Sequence, residues 1–128
     1  MKEDAAPVNL PHIRKAVEQM FLLYEQAFLH NDLATLDELF WHSPLVVRFG
    51  MTESLYGIDA IRQFRQERDT SNIGRVLRNT VITTFGESFA VTITEFEREG
   101  DARGRQTQTW VKFAEGWRIV SAHISPAP

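Results

Sequence analysis

Arg48 stands in the run LVVRFGM (residues 45–51), with apolar residues on both sides in sequence. Whichever pleat face it takes on an extended strand, it lies beside Val, Leu, Phe or Met. Burying a guanidinium without a partner is costly, so something anionic must meet it. Two readings stay open. Arg48 is either in a structural ion pair with one of the chain's own Glu or Asp side chains, or a two-pronged clamp for a ligand carboxylate, which a guanidinium fits better than an ammonium does. Tyr24 lies on the apolar stripe of the first helical segment, with Met20 and Phe28. It is either a core aromatic or, beside Arg48, a proton donor, because a cationic neighbour favours the phenolate and lowers the tyrosine pKa.

Gln108 and Trp110 alternate onto one face of QTQTWVKF. They form either plain core or an apolar wall with an amide that both donates and accepts, which suits a flat urea-like ligand. Arg75 opens the first long β-run and is either a second positive end for a dianionic substrate or a solvated rim charge. Arg78 competes for that role from the opposite face. His123 alternates with Ser121 and Ser125, opposite Val120, Ala122 and Ile124. If the apolar set faces inward, His123 points outward, so it is left outside the site. No Ser-His-Asp order, HxxxH or HxH set, or Gly-rich phosphate loop is present. No cofactor and no metal are expected.

These residues need elements to position them. Ile13, Val17, Met20, Tyr24 and Ala27/Phe28 recur at three- and four-residue steps, which predicts a helix over 12–30, with Arg14, Lys15, Glu18, Glu25 and Gln26 on other faces. Asn31-Asp32 breaks it and caps a second helix through Leu33, Leu36, Leu39 and Phe40, stopped at Ser43-Pro44. A short strand at 45–51 is followed by TESLYG as a strand end or turn. A third helix then starts at Gly57 and carries Ile58, Ile61 and Phe64. From Arg75 onward the texture is Val, Ile, Thr and aromatic. Gly86-Glu87, Gly100-Asp101 and Glu115-Gly116 divide it into four antiparallel runs. Helices followed by a meander make an α+β fold, a curled sheet with helices over its concave face and a ligand cavity between.

At 128 residues the chain is one domain, read as a flexible segment 1–11 followed by a folded unit 12–128. With 43% hydrophobic and 24% charged residues it has the balance of a globular protein. A net charge of −3, without a clustered basic surface, gives no reason to expect nucleic acid. The chain has no cysteine, which rules out disulfides and thiol nucleophiles and fits a reducing compartment. No segment reads as a signal peptide or has the roughly 20 apolar residues of a membrane span, so a cytoplasmic location is expected. The convex sheet face, rich in Thr, Val and Ile, needs cover, and a homodimer or larger homo-oligomer is expected.

The order of these elements, with HNDLATLDELF (30–40), YGIDAIRQF (56–64) and WRIVSAHIS (117–125), resembles the NTF2-like superfamily in its SnoaL-like branch. FLLYEQAFLHND, VVRFGMTESLYG and GRQTQTWVKF together resemble a narrower group. This is the AtzH-like family of 1,3-dicarboxyurea amidohydrolases in bacterial cyanuric-acid breakdown, with relatives in oxalurate and purine catabolism. The resemblance implies an NTF2-like cone and a hydrolase acting on a small N-carboxylated urea, such as dicarboxyurea to allophanate. In that family a tyrosine on the first helix and an arginine on the first strand are the key pair, and Tyr24 and Arg48 match them. Two further readings stay open: a non-catalytic ligand-binding or assembly module, and an isomerase. The isomerase is weakened because no Asp or Glu stands alone on an inward apolar stripe.

Overall fold

The computed structural model describes residues 6–100 and 102–128, so Met1 to Ala5 and the Asp101 of the expected Gly100-Asp101 turn lie outside the described residues. Three helices, α1 (Pro11–Leu29), α2 (Leu33–Leu39) and α3 (Ile58–Glu67), pack on one six-stranded sheet. Its strands are β1 (Val47–Phe49), β2 (Ser54–Tyr56), β3 (Val76–Phe85), β4 (Phe89–Glu97), β5 (Arg103–Phe113) and β6 (Gly116–Pro126). Their order across the sheet is β2-β1-β6-β5-β4-β3. No helix among the described residues is long and apolar enough to cross a membrane.

Local chemistry sets the helix boundaries. Pro11 sits in the first turn of α1, where its missing N–H costs nothing. Asn31 ends that helix in the left-handed region, at φ 50°. Asp32 then caps α2, accepting from the Thr35 backbone N–H at 3.2 Å and the Thr35 hydroxyl at 2.7 Å. The stripe of α1 that meets the sheet is Ile13, Val17, Phe21, Tyr24, Ala27 and Phe28. Phe21 is fully buried, whereas Met20 is only half-buried. Glu25, expected on another face, is buried as well.

The strands β3 to β6 form the antiparallel meander that their spacing predicts. The short strand is joined to it from afar: β1 pairs parallel with β6, Arg48 opposite Ala122, and antiparallel with β2. This pairing places Arg48 on the concave side, one strand in from the β2 edge of the sheet. A bulge beside Thr109/Trp110 shifts the phase of β6, so the buried set there is Trp117, Ile119, Ala122 and Ile124, with Val120 half-buried. His123 is exposed on the convex side, where it meets the Phe49 ring edge-on. In the expected flexible segment, residues 7–9 are held against β3. Gly86 N–H donates to the Pro7 carbonyl, while Asn9 and Thr84 exchange two hydrogen bonds. Val81, Phe85, Phe89 and Ile93 remain exposed on the convex face.

Candidate anion site of the cone

Tyr24 is 1% exposed and stacks on Phe28, with ring centroids 6.3 Å apart. Its hydroxyl accepts a hydrogen bond from Arg65 Nη2 at 3.4 Å. Burial pushes the phenol pKa up, but the fields of Arg65, Arg48 and Arg75, in that order, outweigh it and hold the group at about 8. A phenol at that value both donates and accepts protons near neutral pH.

Arg65 is 4% exposed, lies against the Tyr24 and Phe40 rings, and has no carboxylate partner among the described residues. Its Nε and Nη1 are buried without a hydrogen-bond acceptor. Arg48 is 3% exposed and meets one carboxylate: Nη1 donates to Glu53 Oε2 at 2.9 Å, leaving Nε without a partner. Burial lowers the Arg48 pKa, Tyr24 raises it and Arg65 lowers it further. Glu53 reaches in from the turn between β1 and β2. Although partial burial works against the charged carboxylate, the bonds from Arg48 and Thr52 keep its pKa below the ordinary range. The side chain can fold this way because residue 50 is glycine, where a Cβ would overlap the Glu53 carboxylate.

A cavity of about 180 Å³ opens over Arg48, lined among others by Phe28, Glu53, Phe64, Arg68 and Arg98. It is smaller than the ~300–1,000 Å³ of drug-sized sites, so it suits a ligand of a few atoms. Tyr24 does not line it and lies behind Phe28. A second cavity, of about 240 Å³ between α2 and α3, has Arg65 in its wall. Tyr24 thus sits beneath two arginines that each face a separate opening. Among the described residues, no group of three or more His, Cys, Asp or Glu side chains is placed to hold a metal ion.

The AtzH-like family model matches residues 6–128. This chain belongs to the AtzH-like family. It is 52% identical to a Pectobacterium atrosepticum protein of unknown function from the DUF3225 family, over 94% of this chain and 95% of that one, with a TM-score of 0.93. A cystatin-like fold protein from Burkholderia xenovorans is 41% identical, over 96% of this chain and 99% of that one, with a TM-score of 0.92. An NTF2-like superfamily protein from Salmonella enterica serovar Typhimurium is 20% identical, over 91% of this chain and 92% of that one. Its TM-score of 0.74 speaks to the fold alone. The fold is the NTF2-like cone. No curated protein matches the chain.

In this AtzH-like cone, Tyr24 and Arg48 come close enough for each to shift the other's titration. Arg75, expected as a second positive end for substrate or as a rim charge, is neither open to the Arg48 cavity nor solvated. Its side chain is fully buried and gives Glu25 two bonds, Nε to Oε2 at 2.9 Å and Nη2 to Oε1 at 2.7 Å, plus one to Gln106 Oε1 at 3.1 Å. Phe28 and Phe96 cover its guanidinium, at 4.2 and 4.8 Å. Phe96 in turn lies across Gly104, where a Cβ would collide with the ring. Arg78 lies on the exposed face, paired with Glu97 at 2.8 Å.

Gln108 and Trp110 share the concave face of β5, but both bond inward. Trp110 Nε1 donates to Thr92 Oγ1 at 3.0 Å, and that hydroxyl donates to Gln108 Oε1 at 3.2 Å. Neither lines the Arg48 cavity. Three residues were not anticipated: Arg65, Glu25 and Arg68. Ile58, Ile61 and Arg65 stand at i, i+3 and i+7, so a cation in the apolar phase of α3 was a readable signal. Glu25 follows Phe21 by four residues on the buried side of α1 in the same way.

Proposed function

We propose that this protein is a hydrolase of small N-carboxylated ureas, acting on 1,3-dicarboxyurea or a related ureido acid and, with dicarboxyurea, yielding allophanate. The observation that carries this reading is the buried Tyr24 phenol, held at a pKa of about 8 beneath the under-neutralised Arg48 and Arg65. Membership of the AtzH-like family supports the same substrate class.

The chemistry asks little of the protein beyond positioning. Arg48 would hold a substrate carboxylate through its free Nε edge and through Nη1 once Glu53 withdraws. The N–C bond to a terminal carboxyl breaks with its electron pair left on nitrogen. The carbon leaves as CO2 or, after water adds, as bicarbonate. Either way the nitrogen needs a proton. Tyr24 would supply it once the Phe28 ring between it and the Arg48 cavity moves aside, and would regain one from water, while Arg65, donating to the phenol oxygen, stabilises the transient phenolate. No nucleophilic side chain is required, so rate enhancement would come from orientation and electrostatics. Gln108 and Trp110, tied to Thr92 and outside the lining of the Arg48 cavity, would support the scaffold behind it rather than touch the urea.

The decisive experiment is incubation of the purified protein with dicarboxyurea, oxalurate and related ureido acids, with products read by mass spectrometry. Conversion of none of them would overturn the reading. Arg48→Lys, which keeps the charge but loses the flat two-pronged donor, should raise KM by at least roughly tenfold and lower kcat as well. We also propose a homodimer or larger assembly through the convex face, where Val81 pairs with Ile93 and Phe85 with Phe89, all four 39–53% exposed to solvent. A species sedimenting at 14.7 kDa at micromolar concentration would argue against it.

A further inference from the structure

The Arg48 cavity has a second cation that no contact within the chain uses up. Arg68 ends α3 and lines the same space as Arg48. Its Nε is buried with no partner, and its Nη2 makes one long hydrogen bond, to Asn31 Oδ1 at 3.4 Å. Its guanidinium lies 4.8 Å from the centre of the Phe28 ring, as that of Arg48 lies 5.1 Å from the centre of the Phe64 ring. An aromatic ring at the back of each guanidinium fixes its plane and leaves its edge donors for a ligand.

The other charged groups of the cavity are already committed. Arg98 Nη1 donates to the Asn72 and Ile73 carbonyls, at 2.9 and 3.4 Å, and holds the loop that follows Arg68. Asp69 is exposed and accepts from the Ser71 backbone N–H at 2.9 Å within its own turn. Glu53 pairs with Arg48 as its one cation among the described residues and accepts otherwise from Thr52. Two guanidinium edges therefore share one small cavity with one pairing carboxylate. Burial, and then the field of Arg65, bring the Arg68 pKa down to about 10, which is the response of a cation short of anions.

We propose that Arg68 is a second anion clamp of the Arg48 cavity, so that the site takes a small dianion whose two acidic groups are separated by a short neutral spacer. This rests on the reading of the cavity as the substrate site. It adds that a substrate with one acidic group is disfavoured, and that the discrimination lies with Arg68 rather than with Arg75.

Calorimetric binding tests the clamp without turnover. Malonate, succinate and glutarate would be titrated against acetate, propionate and butyrate, into the unaltered protein and into Arg68→Gln. The unaltered protein should bind at least one dicarboxylate tenfold or more tighter than its monocarboxylate counterpart. Arg68→Gln should lose most of that ratio while its monocarboxylate affinity stays within about twofold. Thermal melting would show that the variant is folded, and Arg68→Lys, which keeps the charge, should restore part of the ratio. The clamp is overturned if no dicarboxylate is preferred or if Arg68→Gln keeps the preference. A dianion preference lost in Arg68→Gln, in a protein that converts no ureido acid, would leave the clamp standing and remove the hydrolase reading. Turnover with an unchanged preference would do the reverse.

Discussion

Arg75 and Arg48 are two buried arginines on the concave face of one sheet, and their surroundings differ in kind. Arg75 is met by a carboxylate in two-pronged geometry, bonded to Gln106 and covered on both faces by Phe28 and Phe96. Both of its partners come from regular elements, α1 and β5. Each arginine keeps one buried N–H without a partner, Nη1 in Arg75 and Nε in Arg48, but Arg48 is met by only one prong of a carboxylate, and that carboxylate comes from a surface turn. A guanidinium fixed by rigid elements serves the fold. One held by a displaceable side chain is ready to exchange that partner for a ligand.

The largest effect should come from breaking the committed pair. Glu25→Ala leaves Arg75 buried with its carboxylate gone and should cost about 3–5 kcal/mol in urea unfolding. If unfolding moved by less than about 1 kcal/mol, Arg75 would not be structural and the contrast with Arg48 would collapse. One residue before Glu25 on α1, Tyr24→Phe removes one hydroxyl and almost no volume. Under the proposed chemistry kcat should fall roughly a hundredfold or more, with melting nearly unchanged. Near-normal turnover would make Tyr24 a core aromatic.

The pH profile sharpens the same point. Tyr24 donates only when protonated, and its pKa lies at about 8, below the ordinary 10. Activity should therefore be retained below pH 8 and fall roughly tenfold per unit above it. A profile flat to pH 10 would contradict this. The smallest change is expected at Glu53. Glu53→Gln removes the charge opposite buried Arg48 but keeps a side-chain oxygen that can still accept from Nη1, so it should cost the fold less than Glu25→Ala. Glu53→Gln should tighten carboxylate binding by roughly twofold to fivefold by freeing Arg48. Weaker binding in that variant would make Glu53 a supporting residue rather than a displaceable one.

The helices and the meander were legible because their periodicities are clean, and Arg48 because a cation inside LVVRFGM has no bland neighbour. The parallel pairing of β1 with β6 was not legible. It joins residues more than seventy positions apart, and no local pattern encodes the partner. Arg65 and Glu25 were missed for one reason. Both sit on apolar stripes, and a charged residue there reads as belonging to the neighbouring solvent face until the helix phase is fixed to within a residue. Arg75 was noticed, but whether its anion is a ligand or the chain's own Glu25 depends on which residue of α1 turns inward. The Trp110–Thr92–Gln108 chain likewise needed the register of β4 against β5, which sets Thr92 opposite Gln108.

The absent side chain at residue 104 ties the two halves of this contrast together. Phe96 occupies the space a methyl group would need, and its ring also supports Arg75 at 4.8 Å and Arg98 at 5.2 Å. Displacing that ring would disturb the fixed ion pair on one side and, through Arg98, the loop behind Arg68 on the other. One hydrogen atom at position 104 thus works as a shared hinge pin. A Gly104→Ala change, at a residue that lines neither cavity, should loosen the scaffold and the ligand mouth together, where any substitution at Glu25 or Arg68 would touch only one.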